Sequence, residues 1–233
     1  MAEPLDGRVA VITGASRGIG AAISCGLSGA GARVVRLARG LVERTESWGM
    51  DLPCDVTDQA QVEGAAERIV ATWGAPAILV NNAGSFLLAP LAETSRGQFE
   101  AQMAVNLVAP FAVAQAFLPA MRHAGGGRHI AIGSIADHVA FPGNAAYAAS
   151  KYGLRGLHEV LRAECRGTGV LCTLVSPGPT DTEMWDPVDP DNRPGFVPRH
   201  AMLRSEDVAQ AVVFVATRPP HVEVDWLRLG PAS

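Results

Sequence analysis

The sequence predicts an α/β protein of one domain, built on a doubly wound parallel sheet with helices on both faces. Three observations predict it. Apolar strand-like runs alternate with helix-like stretches from end to end, as expected of strands buried on both faces between crossover helices. The first run leads directly into a glycine-rich turn and a helix-like stretch, the layout of a Rossmann-like nucleotide fold. The 233 residues, 48% hydrophobic and 18% charged, can bury the core of one large domain spanning 1–233, and the composition is not that of a disordered chain.

The elements follow in order. RVAVIT (8–13) is rich in β-branched residues and reads as the first strand, and 18–30 reads as a helix. RVVRLA (33–38), AILVNNAG (77–84), RHIAIGS (128–134), VLCTLVSPG (170–178) and VEVDWLRL (222–229) read as further strands. Residues 59–73, 95–122, 147–167 and 205–217 carry apolar residues at three- and four-residue steps and read as helices. Ser205 is a fitting N-cap for the last of these, with Glu206 and Asp207 in its first turn. The stretch 177–204 contains six prolines and little apolar periodicity. A loop that long in a compact domain points to function or disorder, and 179–204 is the expected substrate loop. No internal repeat or low-complexity segment is present.

Charge and composition exclude several classes. A formal net charge of -4 argues against nucleic acid and anionic membrane, because phosphate binding rewards clustered Lys and Arg. No segment reads as long and apolar enough to cross a bilayer. The start, MAEPLDGRVAVITG, lacks a basic region followed by an apolar core, so no secretion signal is expected. Cys25, Cys54, Cys165 and Cys172 are spaced for neither a metal site nor a disulfide framework. Buried thiols in a reducing cytoplasm, with no metal, are the expectation.

TGASRGIG (13–20) carries the first chemistry. Gly14, Gly18 and Gly20 bring backbone close to a pyrophosphate, and Ser16, Arg17 and Ile19 complete the turn into the helix. The helix N-terminus supplies free N–H groups and the positive end of its dipole. Selection of NAD usually places an acid at the end of the second strand, to accept from the ribose 2′-hydroxyl. Here the strand ends VVRLARG: Ala38 leaves room, and Arg39 and Arg17 offer charge. Guanidinium groups pair well with a 2′-phosphate, so NADP(H) is expected over NAD(H).

The second chemistry lies in AYAASKYG (146–153). Tyr147 and Lys151 are four apart and share a helix face. A free tyrosine, with a pKa of about 10, is a poor acid–base catalyst near neutrality. A neighbouring ammonium and an oxidised nicotinamide, both positive, would favour the phenolate. A drop of about three units requires roughly 4 kcal/mol of differential stabilisation. A tyrosine so tuned exchanges a proton with a carbonyl oxygen as hydride moves. Ser134, at the end of a strand thirteen residues earlier, would hold the same oxygen.

Alone, a YxxxK spacing occurs often by chance. The order of motifs carries more. TGASRGIG, CDVTD (54–58), NNAG (81–84), VN (105–106), Ser134, YAASK and PGPTDT (177–182) occur in succession, and together they resemble the short-chain dehydrogenase/reductase family over nearly the whole chain. The resemblance implies Tyr147 as acid–base residue, Lys151 as its modulator and nicotinamide-ribose ligand, and Ser134 as carbonyl anchor. It implies Asn106 as the helix residue whose backbone holds a water in a proton relay to Lys151. Asp55 and Val56 would meet the adenine, Asn82, Ala83 and Gly84 would line the cofactor, and Pro177, Gly178, Thr180 and Thr182 would meet its nicotinamide end. A seven-stranded sheet and a homotetramer or homodimer follow from the same resemblance, with helices such as 95–122 and 147–167 packing on a neighbour's copies.

Two stretches depart from the family's habit. GLVERTESWGMDLPC (40–54) is short, so a helix there must be abbreviated, and Arg44 becomes a second candidate for the 2′-phosphate. The 179–204 segment is short beside a full helical lid, which favours an open pocket or a lid ordered on binding.

Phe86, His138, Phe141, Asn144, Met184 and Trp185 neighbour the catalytic motifs and are the candidate pocket residues. Their aromatic share suggests an apolar or aromatic carbonyl substrate. The tail and FPGNAAY resemble NADP-dependent hydroxy-acid and small-alcohol dehydrogenases more loosely, and a carboxylate substrate would call on Arg193 or Arg199. A 3-oxoacyl thioester reductase is the alternative within the class. An NADP-sensing regulatory protein is the alternative outside it, and the presence of all four catalytic residues weighs against sensing alone. Sugar-nucleotide epimerases and dehydratases need a larger C-terminal region than the roughly fifty residues that follow PGPTDT.

Overall fold

The computed structural model of the chain describes residues 4–232. Its sheet has eight strands: β1 (Val9–Thr13), β2 (Arg33–Leu37), β3 (Arg44–Glu46), β4 (Gly49–Leu52), β5 (Ile78–Asn81), β6 (Gly127–Ile132), β7 (Val170–Pro177) and β8 (Trp226–Leu229). Their spatial order is β3-β4-β2-β1-β5-β6-β7-β8. Every neighbouring pair is parallel except β3–β4. The order reverses between β1 and β5, and the crevice at such a switch point is where ligands of this architecture bind.

The two faces have separate cores. Ala10 and Ile12 of β1 pack with α1 (Gly18–Gly29) and α6 (Ser205–Ala216), through Ile23, Leu27, Val208, Val212 and Val215. Val9 and Val11 point the other way. They join Val62 and Ile69 of α2 (Gln59–Trp73) and Val113, Phe117 and Met121 of α4 (Ala109–His123). α5 (Ala145–Glu164) covers β6 and β7 through Leu154 against Ala131 and Leu174.

The expected helices appear within a few residues of their places, but the 40–54 stretch is different. No helix forms there. β3 and β4 make an antiparallel hairpin that adds an edge strand to seven parallel ones. A Cβ at Gly49 would collide with the Val34 carbonyl, so only glycine lets β4 approach β2 this closely. Arg36 then clasps Asp51 through two hydrogen bonds, of 2.6 and 2.5 Å. The pair lets a strand written Gly-Met-Asp-Leu sit fully buried.

The long helix also corrects the sequence reading. α3 (Arg96–Met103), a π-helical turn (Ala104–Val108) and α4 form one 28-residue helix, Arg96–His123, with a mean hydropathy of 1.6 over its most apolar window. By length and composition it could cross a bilayer, contrary to the expectation that no segment could. Here Val113, Phe117, Leu118 and Met121 serve as core residues against the sheet. Cys54, Cys165 and Cys172 are buried as expected, but Cys25 is exposed on α1.

Candidate active site

The glycine loop forms the floor of the site. Gly14 and Gly18 have φ of +65° and +53°, a region open to glycine at little cost. A Cβ on Gly14 would stand 2.7 Å from Ala83 Cα, and one on Gly20 would stand 2.5 Å from Asn82 Nδ2. A side chain at either position would run into the Asn82–Ala83 segment that follows β5. Thr13 ties the floor to the opposite wall: its hydroxyl accepts from the N–H groups of Asn82 and Ala83, at 3.0 and 3.1 Å. Asn82 returns hydrogen bonds to the carbonyls of Thr13 and Gly14, at 2.9 and 3.2 Å. Arg17 precedes α1 with no side-chain cap, which leaves the helix N-terminus open to an anion. These residues fit a dinucleotide pyrophosphate.

The adenosine side is set by β2 and the loop after β4. Ala38 is buried, and β2 runs on into Ala38, Arg39 and Gly40 with no acid at its end. Asp55 accepts from the N–H and hydroxyl of Thr57, at 3.0 and 2.7 Å, which holds its carboxyl below the usual range, with help from the charge of Arg39. Val56 is buried beside it. Arg44 lies on β3 and stacks on Trp48. Arg17 pairs with Glu183 of the substrate loop at 2.7 Å, both side chains well exposed.

The catalytic candidates converge at the carboxyl ends of β5 and β6. Lys151 is 5% exposed and donates to the Ile132 carbonyl at 2.9 Å. Its ammonium lies 5.7 Å from the centre of the Tyr147 ring. Asn106 is fully buried in the π-turn. Its Oδ1 accepts from Ser85 N–H at 2.9 Å, and its Nδ2 donates to the Ser85 carbonyl at 2.9 Å and to Ser150 Oγ at 3.0 Å. Ser150 in turn donates to the Tyr147 carbonyl at 2.7 Å. Asn106 therefore bolts the loop after β5 to the N-terminal part of α5. Its own backbone carbonyl lacks the usual helical donor, because the residue four further on is Pro110, which has no N–H.

Burial governs the protonation of the couple. It pushes the Tyr147 phenol up to about 12, with a side-chain hydrogen bond to Ser134 pulling the other way and the charge of Asp137 adding to the rise. Burial also lowers the Lys151 ammonium to about 8, against the charge of Asp137. The chain's own groups thus hold Tyr147 as the neutral phenol. The depression expected of Lys151 together with an oxidised nicotinamide has this desolvation to overcome.

The pocket wall is aromatic. Phe86 meets the Tyr147 ring edge-on at 4.9 Å and Trp185 at 5.2 Å, and Trp185 meets Phe196 at 6.3 Å. The 179–204 segment is pinned by its own contacts, without a helical lid. Trp185 Nε1 donates to the Thr180 carbonyl at 3.0 Å, and Arg199 reaches Asp181 at 2.9 Å, Asp186 and the Thr182 carbonyl. Thr180 is buried, Gly178 N–H donates to the Leu229 carbonyl at 2.7 Å after β7 ends at Pro177, and Thr182 overhangs Gly18. Phe141 and Met184 are exposed. Asn144 is buried, with its Oδ1 unpartnered. His138 turns away to Asp137 and Trp226. Among the described residues no cluster of three or more His, Cys, Asp or Glu could hold a metal ion.

Sequence reasoning missed Thr13, Ser85, Ser150, Asp137 and Phe196. Only Asn106 carries a local signal for its special backbone, in the NLVAP run that puts proline four residues on.

Comparison with known proteins agrees with this geometry. The family model described as short chain dehydrogenase matches residues 8–193. D-threitol dehydrogenase of Mycolicibacterium smegmatis is 37% identical over 226 residues, covering 91% of this chain and 87% of its own. The 3-oxoacyl-acyl-carrier-protein reductase of Escherichia coli is 34% identical over 221 residues, 91% of each chain. A crystal structure of a metagenomic short-chain oxidoreductase in complex with NADP superposes with a TM-score of 0.82 at 35% identity, over 99% of this chain and 100% of its own.

Proposed function

The chain belongs to the short-chain dehydrogenase family of NAD(P)-dependent oxidoreductases, and from that premise we propose that it is an NADP(H)-dependent carbonyl reductase for apolar or aromatic ketones and aldehydes. The observation that carries this reading is the aromatic chain Trp185–Phe86–Tyr147, which puts the acid–base hydroxyl at the base of an apolar wall. The end of β2, with no acid there and Arg39 next to Ala38 in the chain, supports NADP(H), and Arg17 joins it where Glu183 releases it.

When bound, a nicotinamide cofactor would supply the hydride chemistry, giving hydride in reduction and taking it in oxidation. The chain handles the proton. Ser134 hydrogen-bonds the carbonyl oxygen, and the neutral Tyr147 phenol gives that oxygen its proton as the alcohol forms. Lys151, fixed by the Ile132 carbonyl, holds positive charge beside the phenolate that remains. Burial raises the phenol, so Tyr147 carries its proton at neutral pH, the state that reduction starts from.

A hydroxy-acid substrate has less support. Of its two candidate anchors, Arg199 is occupied by Asp181 and Asp186, and Arg193 stacks on Phe196. Nicotinamide absorbance over time, with NADPH or NADH and a panel of aryl ketones, aldehydes, polyols, oxo-acids and 3-oxoacyl thioesters, tests the reading. Fastest turnover of apolar carbonyls with NADPH supports it. Preference for NADH, an oxo-acid or a thioester overturns the corresponding part.

We further propose a homo-oligomer. Phe99 and Phe111 of the long helix, with Tyr152 and Val160 of α5, are exposed large apolar side chains on adjoining helices. A monomeric mass by light scattering would refute this.

A further inference from the structure

Directly behind Ser134 lies a carboxylate that the reaction as described does not use. Asp137 is fully buried. One of its oxygens accepts from the Ser134 N–H at 3.1 Å and from the Ser176 hydroxyl at 2.5 Å. The other meets His138 Nδ1 at 2.6 Å. Trp226 Nε1 of β8 donates to Ser176 Oγ at 2.8 Å, so the network runs from the last strand to the catalytic serine. Arg155 of α5 donates to the Asp137 carbonyl at 3.0 Å. The space is made by Gly133, where a Cβ would collide with the Asp137 carboxylate and stand 3.0 Å from Ser176 Oγ. Strand, serine and glycine are thus shaped around one buried charge.

We infer that Asp137 is a positioning residue for carbonyl reduction: its carboxylate fixes the Ser134 backbone and places a standing negative charge beside the Tyr147–Lys151 couple. The inference rests on the reductase reading above. A buried carboxylate is costly unless its oxygens are filled, and here Ser134, Ser176 and His138 fill them. The groups in contact with Asp137 are Ser134 and His138 on its own segment, Ser176 on β7 and Arg155 on α5, and its charge also bears on Tyr147 and Lys151 of α5, the helix packed on its turn. Its charge favours the neutral phenol and the protonated lysine together, which is the pair of states that reduction needs.

Tyrosine titration tests this without reference to any substrate. Tyr147 and Tyr152 are the two tyrosines of the chain, so Tyr152→Phe leaves Tyr147 as the sole source of tyrosinate absorbance. In that background Asp137→Asn keeps the shape and removes the charge. The phenol should titrate at lower pH than in the parent, toward the ordinary value of about 10, and the alkaline limb of the reduction rate should move to lower pH. Ser176→Ala keeps the charge and loosens the carboxylate. It should lower kcat by up to about a hundredfold through misplacement of Ser134, and leave the tyrosine titration in place. An Asp137→Asn protein that melts like the parent and shows unchanged titration and kcat overturns the inference. If Asp137→Asn does not fold, an unchanged kcat in Ser176→Ala overturns the positioning role. If the parent turns over no carbonyl compound, the reductase reading fails, while the titration still decides the effect of the charge.

Discussion

The two halves of the site are made of different material. The cofactor half is backbone: Gly14, Gly18 and Gly20, the open N-terminus of α1, and the N–H groups of Asn82 and Ala83 anchored on Thr13. The substrate half is side chains: Phe86, Trp185 and Phe196, with a loop stitched by Arg199. A cradle made of backbone has few solutions, because each glycine marks a place where a Cβ cannot stand. A wall made of side chains can be rebuilt by substitution without moving the fold. On the proposed function, the first half would hold the cofactor and the second would set which carbonyl compound this chain accepts.

The comparison can be broken from either side. The largest effect on binding belongs to the cradle. Gly20→Ala should weaken NADPH by roughly a hundredfold, about 2.7 kcal/mol, because its Cβ has nowhere to go between Gly14 and Asn82. Fluorescence titration measures this, and binding within twofold of the parent would mean that the loop is less tightly built than the geometry requires. Arg17→Ala with Arg39→Ala should cost about tenfold in NADPH affinity and leave NADH unchanged. Equal losses on both cofactors would show that the arginines do not read the 2′-phosphate. On the other side, Trp185→Ala should leave NADPH binding intact and raise KM for an apolar ketone a few-fold, as expected for lost apolar contact. A change in cofactor affinity there would join the two halves into one unit. The smallest effect is in pH. With the Lys151 ammonium lowered to about 8 by burial, its charge is lost as pH rises through that value. The reduction rate should be flat below pH 7 and fall by about twofold at pH 8. A rate that rises through this range would contradict the role given to the lysine.

The same contrast explains what the sequence made legible. Runs such as RVAVIT and VLCTLVSPG are strands because they are apolar on both faces, and they appear where periodicity puts them. β4 escaped detection because Gly-Met-Asp-Leu is buried only through the Arg36–Asp51 clasp, a contact between residues fifteen apart. The same clasp replaced the abbreviated helix expected at 40–54 with a hairpin. The glycine and tyrosine motifs are local and could be read directly. Asp137 could not, because its meaning depends on Ser176, thirty-nine residues away. The direction in which the chain's own groups move Tyr147 is hidden for a related reason: the Tyr147–Lys151 spacing shows a charge but not the burial around the phenol.

The measurement that tests the account most directly is paired NADPH affinity and turnover in Tyr147→Phe. The account predicts an NADPH Kd within twofold of the parent, because the cradle is backbone on other elements, and a kcat lower by about a thousandfold, because the only acid at the carbonyl is gone. Substantial turnover in the phenylalanine variant would contradict it, since the proton would then come from another group.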